Sequence, residues 1–310
     1  MPCYHPVQAW RVRSGRNENG KWPITFQFKQ GYADKEIRVP CGQCIGCRLE
    51  KSRVWALRCL HESQLHEQCC FLTLTYRDNP GTLVLRDLQN FFKRLRKAIY
   101  PIKVRYYACG EYGSNFGRPH YHCLLFGYDF SRDRVLFKRS GTNALYSSRL
   151  LDSLWTHGYC LIGDVSFDSC AYVARYCVKK VTGEGKVEHY VDPDTGELRK
   201  PEFAVMSRRP GIGLDWFLRY RDEVMAHEGM CYINGVFCKI PRYYEEKDAC
   251  AGNDGLVKLR QARAAAARRV QDMGEQSPDR LAVREECAEM NLARLKRGYE
   301  ETASFLQPFE

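Results

Sequence analysis

The run Arg-Pro-His-Tyr-His-Cys-Leu-Leu-Phe-Gly, residues 118–127, is the part of the chain from which its architecture can be worked out. A proline followed by aromatic and aliphatic residues predicts a buried strand. Side chains alternate between the faces of a strand, so His120 and His122 point the same way. Two adjacent imidazoles form a natural pair of metal ligands, although such a pair is also often half-buried with ordinary hydrogen bonds.

Glu111 lies nine residues before His120, at the end of a second strand-like run, residues 103–110. If the two strands pair, the connection between them carries the carboxylate back over the histidines. Two histidines and one carboxylate leave coordination positions open and suit a divalent ion that also holds a phosphate oxygen. We therefore predict a metal site at Glu111, His120 and His122, in the centre of an active site.

A second motif, Tyr-Val-Ala-Arg-Tyr-Cys-Val-Lys-Lys at residues 172–180, falls on a helix predicted over residues 169–181. Helical spacing places Tyr172, Tyr176 and Lys179 together on one exposed, polar face. A different face of the helix is predicted to be buried and apolar, with Ala171, Ala174, Val178 and Val181.

These tyrosines are candidate nucleophiles when they are combined with the histidine strand. A phenol has a pKa of about 10, so about one in a thousand is ionised at neutral pH. Forming the phenolate costs roughly 4 kcal/mol, and Lys179 or a hydrogen bond from Arg175 would reduce that cost. Without the histidines, the same motif is typical of a surface helix.

Composition limits the class of protein. The chain has 310 residues, 44% of them apolar, which allows a full core in two domains, or in one domain with extensions, and excludes global disorder. The net charge of +11, with basic residues interleaved with aromatic ones, suits phosphate contact and base stacking. No stretch is long and apolar enough to span a membrane, and the amino terminus lacks the pattern of a signal peptide, so we expect a cytoplasmic protein with no membrane partner.

Sixteen cysteines would indicate disulfides in a secreted protein, but here they are expected to remain thiols or to bind metal. Cys41, Cys44 and Cys47 form the regular array, with two-residue gaps that let thiolates converge on a structural zinc ion. Three residues are candidates for the fourth ligand: Cys3, His5 and Cys59. The alternatives are a reduced turn before a helix or, with less support, an iron–sulfur cluster.

The pattern along the chain predicts an α+β fold, with a mainly antiparallel sheet and packed helices. Helices are expected at residues 47–66, 85–99 and 145–155, and strands at 71–76, 103–110, 120–127 and 158–165. Four regions follow: a Cys-rich segment and basic helix (1–66), the core (67–182), an extension of loop, hairpin and helix (183–245) and a helical tail (246–310). In the extension, the glycines around Arg208 and Arg209 and the helix start near Leu214 either hold a phosphate or form a linker.

In this order, the strand at 71–76, Glu111, the histidine triplet and the two tyrosines resemble the HUH endonucleases that initiate rolling-circle replication. The resemblance is closer to the replication initiators of gokushoviruses, small single-stranded DNA phages of the microvirus group. It covers roughly residues 1–215 and is carried by Met1–Pro6, Pro40–Glu50, Ala108–Gly127, Tyr172–Lys180 and Met206–Gly213.

The resemblance implies a five-stranded antiparallel sheet of ferredoxin or RRM type, with the tyrosine helix beside it. It also implies Mg²⁺ or Mn²⁺ bound by His120, His122 and Glu111. The middle residue of the triplet is usually bulky and apolar in the family, whereas this chain has Tyr121. Having two tyrosines groups the chain with the family members that use both.

The implied activity is nicking of single-stranded origin DNA, which links a tyrosine to the 5′ phosphate and leaves a 3′ hydroxyl as a primer. Closure of the displaced strand into a circle follows. A host helicase and DNA polymerase are the implied partners, in the bacterial cytoplasm. Basic candidates for DNA contact are Arg118, Arg175, Lys180, Arg208 and Arg209.

Two alternatives belong to other functional classes. One is a non-catalytic, zinc-stabilised nucleic-acid-binding protein, which would leave DNA whole in the presence of metal. The other is an HUH relaxase or transposase. Relaxases usually carry large extensions for which this chain has no room, and the transposases are commonly smaller.

Overall fold

The computed structural model describes residues 3–17, 22–113, 117–140, 143–176, 186–192, 195–233, 235–269 and 276–294. In chain order, the strands are β1 (Val7–Val12), β2 (Ile24–Thr25), β3 (Gly31–Val39), β4 (Cys69–Thr75), β5 (Arg105–Tyr112), β6 (Pro119–Phe126), β7 (Arg134–Ser140), β8 (Asn143–Ser148), β9 (Cys160–Gly163), β10 (Phe203–Met206), β11 (Met230–Ile233) and β12 (Val236–Lys239). The helices are α1 (Ile45–Ser63), α2 (Leu85–Ala98), α3 (Arg149–Leu154), α4 (Phe167–Tyr176), α5 (Lys186–Tyr190), α6 (Leu214–Arg219), α7 (Arg221–Ala226), α8 (Arg242–Cys250), α9 (Gly255–Arg269) and α10 (Pro278–Arg294), with a 3₁₀ turn at Phe28–Gln30. The described part of the chain divides into two compact units, one of residues up to 51 together with those from 267 to 294, and one of residues 52–266.

The larger unit is built on an antiparallel sheet of seven strands in the order β10-β5-β6-β4-β9-β8-β7. The α+β class and the antiparallel sheet are therefore confirmed. The sheet has two strands more than the five implied by the resemblance, and β10 and β7 form its edges. Strands β4, β5 and β6 occupy the positions predicted from the sequence and lie next to one another between the edge strands of the sheet.

Both faces of the sheet are covered by helices, which is why every residue of β6 is buried. Helix α2 packs on one face through the stripe Leu88, Phe91, Phe92 and Leu95, which meets Tyr121, Cys123 and Leu125 of β6. Helices α1 and α4 pack on the other face, where Ala56 and Ala174 join Leu124 and Phe126. The second face is also the histidine face, because the histidines share it with Leu124 and Phe126.

The prediction of a helix over residues 145–155 is wrong in its first part. Residues 143–148 form strand β8, in which Leu145 and Tyr146 pair with Gly163 and Ile162 of β9. The helix begins only after Ser148, whose side chain accepts a hydrogen bond from the backbone N–H of Leu151 at 3.1 Å. Pairing with neighbouring strands outweighed a helical pattern that is too short to be decisive.

The smaller unit contains a three-stranded antiparallel sheet, ordered β2-β1-β3, and helix α10. Strand β1 is central, and Ala9 within it is fully buried. The helical carboxyl-terminal region predicted from composition contains α9 and α10.

A third apolar cluster lies in the larger unit, between α1, α6, α8 and the β11–β12 hairpin. His61 of α1 is buried within it. Its ring stacks on Trp216 with 3.5 Å between ring centroids, and its Nδ1 lies 3.1 Å from the hydroxyl of Tyr244. Burial lowers the pKa of this imidazole to about 3, because a charged ring would lose its hydration there.

This histidine is expected to make folding stability depend on pH. The pKa of His61 is about 6.5 in the unfolded chain and about 3 in the folded chain. Between these pH values the unfolded chain binds a proton at His61 and the folded chain does not. The free energy of unfolding therefore falls as pH drops through this window, by up to about 1.4 kcal/mol per pH unit. His61→Phe should remove this part of the slope. Urea unfolding at pH 7, 6 and 5 measures how the free energy of unfolding changes with pH, and exposed His227→Phe is the control. The same change with pH in His61→Phe and in wild type would contradict a role for His61.

Candidate active site

Strand pairing brings the three predicted metal ligands to one place. In the β5–β6 ladder Glu111 stands directly opposite His120, and in the β4–β6 ladder Thr73 stands opposite His122. Directly paired residues project from the same face of a sheet. Glu111 and both histidines therefore share the face covered by α1 and α4.

The three side chains converge on a single carboxylate oxygen. Glu111 Oε1 lies 2.8 Å from His120 Nε2 and 3.1 Å from His122 Nε2. One ligand atom from each residue lies within 4.8 Å of the others. Glu111 and His122 are each 1% exposed and His120 is 9% exposed, so the cluster is almost fully desolvated. The trio predicted from sequence is thus assembled.

The far nitrogen of each imidazole is held by a neighbouring oxygen. His120 Nδ1 donates to the backbone carbonyl of Arg118 at 3.1 Å, and His122 Nδ1 lies 3.1 Å from the hydroxyl of Thr73. Such contacts fix ring orientation and leave Nε2 free to serve as a ligand atom. Both rings therefore present Nε2 toward Glu111.

The charge state of Glu111 suits a cation. Burial alone would raise the pKa of its carboxyl, but electrostatic attraction to His120 and the hydrogen bonds with His120 and His122 outweigh burial and lower the pKa to about 2. The carboxylate is therefore ionised at neutral pH. One ionised oxygen donor and two imidazoles with open positions fit a divalent cation.

Tyr172 is next to this cluster, and the prediction that it lies on an exposed face is wrong. Its side chain is 2% exposed, and its ring meets the ring of His122 edge-on, with 5.2 Å between centroids. The ring of Phe71 is a second neighbour, at 6.0 Å. Helix α4 lies with this side against the histidine face, so the phenol packs beside a proposed metal ligand.

The rest of the tyrosine motif is only partly described. Tyr176 is the last residue of α4, one helical turn after Tyr172. The side chains of Arg175 and Tyr176 and all of Lys179 and Lys180 lie outside the described residues. Of the predicted buried face, Ala174 is buried and Ala171 is half-buried, while Val178 and Val181 are outside as well.

Two supporting residues were missed by the sequence analysis. Thr73 orients His122, and Phe71 stacks on the same imidazole with 5.4 Å between centroids and 16° between planes. Both belong to β4, which was predicted as a strand. Alternation along β4 could have placed them on one face, but the pairing of β4 with β6 was needed to bring them to His122.

The basic residues proposed for DNA contact have different surroundings. Arg118 donates from Nη2 to the backbone carbonyls of Tyr76 and Arg77, at 3.1 and 2.8 Å. Arg208 and Arg209 are exposed in the turn after β10.

The glycine-rich loop that follows Arg209 is held by side chains of α1. The carboxylate of Glu62 accepts the N–H of Gly213 at 2.6 Å, and Arg58 Nε donates to the carbonyl of Ile212 at 3.0 Å. The carboxylate of Glu62 therefore already occupies the N-terminal end of α6, where the sequence suggested that a phosphate could bind. The structure therefore favours the alternative interpretation, in which this loop is a connection.

The four-cysteine cluster selects Cys3 as the fourth residue of the predicted zinc site. The sulfurs of Cys3, Cys41, Cys44 and Cys47 all lie within 4.8 Å of one another. Of the other two candidates, His5 pairs with Glu285 and Cys59 is buried in the apolar cluster beside Tyr172.

Backbone N–H groups point at the sulfurs of this cluster. Cys41 N donates to Cys3 Sγ at 3.2 Å, Cys44 N to Cys41 Sγ at 3.3 Å and Tyr4 N to Cys44 Sγ at 3.4 Å. Hydrogen bonds of this kind stabilise thiolates. For Cys44, burial raises the pKa, but hydrogen bonds from the backbone and from Cys47 outweigh burial and lower it to about 7.

Comparison with known proteins places the chain in a family. A model of the family described as Replication-associated protein ORF2/G2P matches residues 69–181, which include β4, the Glu111 cluster and α4. Replication-associated protein VP4 of Bdellovibrio phage phiMH2K is 31% identical over 259 residues, 79% of this chain and 76% of that protein. The chain belongs to the replication-associated proteins of microvirus-like phages. The resemblance inferred from the motifs is confirmed.

Other members of the replication-associated protein family are similar along much of the chain. ORF2 of Spiroplasma virus 4 is 26% identical over 268 residues, 80% of either protein. ORF4 of Chlamydia phage 1 is 29% identical over 218 residues, 67% of this chain and 53% of that protein. No solved structure gives a significant match. Among the helices that the structure describes, none has the length and apolar character needed to cross a membrane.

Proposed function

We propose that this replication-associated protein initiates rolling-circle replication by nicking single-stranded origin DNA. The observation that carries the proposal is the buried cluster of Glu111, His120 and His122 with the ring of Tyr172 packed against His122. A cation site and a potential oxygen nucleophile on adjacent elements are the parts that phosphoryl transfer to a protein side chain requires.

The reaction is a transesterification. The phenolic oxygen of a tyrosine attacks the scissile phosphorus, a P–O bond to tyrosine forms, and the bond to the 3′ oxygen breaks. The phenol loses its proton and the leaving 3′ oxygen gains one, so the products are a 5′-phosphotyrosine link and a 3′ hydroxyl. Because the ester is exchanged rather than hydrolysed, the reverse reaction can rejoin the strand into a circle without ATP.

Mg²⁺ or Mn²⁺ fits the site, with Glu111, His120 and His122 as its protein ligands. When bound, such an ion supplies Lewis-acid stabilisation of the charge that develops on the phosphate. The protein's own part is to hold the ligands. The Arg118 carbonyl and Thr73 fix the two rings, and burial excludes water from the carboxylate.

Two tyrosines one helical turn apart suit two successive cuts. Side chains at i and i+4 of a helix have β-carbons about 6 Å apart, so Tyr172 and Tyr176 could act in turn at one metal. The first cut starts a round of synthesis and the second cuts the regenerated origin. The 3′ hydroxyl primes synthesis by a host polymerase, and a host helicase opens the duplex. Because both enzymes belong to the host, the protein would act in the bacterial cytoplasm.

The test is a nicking assay with a 3′-labelled single-stranded oligonucleotide that contains the phage origin. With Mn²⁺ or Mg²⁺ we expect a labelled band at the mass of protein plus DNA, and none with EDTA. The other cleavage product should be extended by a polymerase, which demonstrates its 3′ hydroxyl. An intact strand under all conditions would instead favour the non-catalytic DNA-binding alternative. Efficient cutting that does not depend on the phage origin sequence, with a covalently closed circular plasmid as the preferred substrate, would favour a relaxase.

Zinc is the metal we propose for the second cluster. Four cysteine sulfurs that all lie within 4.8 Å of one another suit a structural zinc ion, which Cys3, Cys41, Cys44 and Cys47 would hold. Because four protein ligands would complete its coordination, the role of the ion would be structural. The ion would tie the amino terminus at Cys3 to the start of α1, where Cys47 lies.

Removing a ligand from this cluster is expected to release about one equivalent of zinc. Cys44→Ser should lose the ion and destabilise the smaller unit, because structural zinc in small modules contributes on the order of 10 kcal/mol of apparent binding free energy. Metal content by mass spectrometry and protection of residues 3–47 in hydrogen exchange measure the effect. The control is exposed Cys250→Ser. Equal zinc content in both variants would refute the site.

A further inference from the structure

The three-stranded sheet of the smaller unit carries a basic groove that the proposed nicking reaction does not use. The groove has a volume of about 360 Å³ and lies on the sheet formed by β1, β2 and β3. Its lining combines cations with aromatic and aliphatic side chains: Arg11, Arg16, Trp22, Lys35 and Ile37.

Cations lie on Trp22 of the groove lining and on the neighbouring ring of Tyr32. Lys35 Nζ is 4.6 Å from the ring centroid of Trp22 and 4.4 Å from that of Tyr32. The guanidinium carbon of Arg16 is 5.9 Å from the Trp22 ring. The two aromatic rings also touch each other edge-on, with 6.1 Å between centroids. Trp22 of the groove lining and the adjacent Tyr32 therefore bring two neighbouring aromatic rings together with positive charge.

Hydrogen bonds fix both rings to the backbone. Trp22 Nε1 donates to the carbonyl of Val12 at 2.8 Å, and the hydroxyl of Tyr32 donates to the carbonyl of Arg13 at 3.3 Å. Rings that are held in place lose little conformational freedom when a ligand stacks on them, which favours binding.

The groove is bordered by an exposed apolar side chain of the edge strand. Ile24 of β2 pairs directly with Arg11, so both project from the groove side of the sheet. Ile24 is 42% exposed. Apolar surface next to the rings is therefore available to a partner that carries flat, apolar faces.

The segment that forms the three-stranded sheet is rich in basic residues. Residues 7–39 contain seven Lys and Arg against three Asp and Glu. Glu36 pairs with Trp10, one position along from Arg11, so alternation directs Glu36 to the face opposite the groove. The groove lining itself contains basic residues and no acidic one among the residues described there.

We propose that this aromatic–basic surface, formed by Arg11, Arg16, Trp22, Ile24, Tyr32 and Lys35, binds single-stranded DNA. A groove of cations that contacts phosphates, with aromatic rings on which bases stack, is how proteins hold unpaired strands. Stacking requires bases that are not already stacked in a duplex, so the surface fits single-stranded rather than double-stranded DNA. The choice of DNA rests on the proposed function. The surface would hold a strand by residues other than the ligands and tyrosines of the active site.

The test measures binding separately from cutting. Fluorescence anisotropy of a labelled single-stranded oligonucleotide is recorded with the full chain in buffer without added Mg²⁺ or Mn²⁺ and without a chelator, so that no nicking occurs and zinc at the four cysteines is retained. Trp22→Leu with Tyr32→Leu is expected to raise Kd at least about tenfold, because stacking on one aromatic ring is usually worth a factor of about five or more. Leucine keeps apolar bulk at both positions while it removes the rings.

The matched control is Tyr232→Leu with Phe237→Leu. These residues form an exposed pair of touching rings in the β11–β12 hairpin of the other unit, with 5.2 Å between centroids. The control should bind DNA like wild type. An equal Kd for the two double variants would overturn the proposal.

Salt dependence tests the cations of the surface. Lys35→Ala is expected to reduce the slope of log K against log salt concentration by about 0.7, the value for one phosphate contact with a single strand. Exposed Lys97→Ala, on α2, should leave the slope unchanged. An unchanged slope for Lys35→Ala would contradict a phosphate contact at this residue.

Photo-crosslinking keeps the proposal testable if the Trp22 and Tyr32 double variant does not fold. A wild-type complex with a 5-iodouracil oligonucleotide should give crosslinked peptides within residues 22–35, and crosslinks confined to other segments would overturn the proposal. The outcome is distinct from that of the proposed function. If the double variant binds DNA more weakly and wild type does not nick DNA, the binding surface is retained and the endonuclease is rejected. If the double variant binds and nicks DNA normally, the endonuclease is retained and the binding surface is rejected.

Discussion

Exchange of both Tyr172 and Tyr176 for phenylalanine is expected to abolish covalent attachment of the protein to DNA. Phenylalanine keeps the ring that packs against His122 but lacks the oxygen that would bond to phosphorus. Metal and DNA binding should therefore persist while transfer stops, with a loss of at least about 1000-fold, since both candidate nucleophiles are removed. The measurement is the amount of label that migrates with the protein after incubation with 3′-labelled single-stranded DNA.

Single variants and a matched control make this experiment specific. The tyrosine whose exchange alone removes the first covalent adduct is the one that begins replication, and the other should be needed only for strand closure. Tyr232→Phe removes the hydroxyl of an exposed tyrosine in β11 and should leave the adduct unchanged. A double variant that still becomes labelled would remove both tyrosines from the mechanism.

The second large effect is expected at the acidic ligand. Glu111→Gln replaces the ionised oxygen to which both imidazoles point with a neutral amide of the same size. Loss of that charge should weaken Mn²⁺ binding and reduce metal-dependent nicking by about 1000-fold, equivalent to roughly 4 kcal/mol of transition-state stabilisation.

Calorimetric titration with Mn²⁺ and the nicking rate at saturating metal together check this prediction. Exposed Glu223→Gln removes an equal charge far along the sequence and should change neither quantity. His120→Gln is expected to behave like Glu111→Gln, because it removes another of the three ligands. Wild-type Mn²⁺ affinity in Glu111→Gln would show that the cluster is a buried hydrogen-bonded group and not a metal site.

The strands that carry the site and the cluster of Glu111, His120 and His122 could be predicted from the sequence because their signals are local. A two-residue period places His120 and His122 on one face whatever the rest of the fold does. Glu111 needed one further assumption, that the two adjacent strands pair, and the short connection between them made that assumption reasonable. The register that sets Glu111 opposite His120 is a property of the folded sheet.

The orientation of α4 could not be predicted in the same way. The periodicity of apolar residues reveals the buried face of a helix only when the opposite face is exposed to solvent. Helix α4 is covered on more than one side. Tyr172 and Val173 face a common apolar cluster with the sheet, while the carbonyl of Ala171 accepts a hydrogen bond from Ser52 of α1 at 3.4 Å. A tyrosine next to alanines therefore gave no indication of which way it pointed. The prediction for residues 145–148 was wrong for a related reason, because they form a strand only by pairing with β9.

Tyr121, the unexpected aromatic residue between the two histidines, has a consequence for how the histidine-bearing strand β6 keeps its alignment. Its hydroxyl accepts the N–H of Val84 at 2.9 Å and donates to the carbonyl of the same residue at 3.0 Å, just before α2. A slip of β6 by two residues would keep every side chain on its proper face, so hydrophobic patterning alone cannot forbid it. The phenol can reach Val84 from one position only. This pair of hydrogen bonds thus stops the strand from sliding, and it keeps His120, rather than Arg118 or His122, level with Glu111.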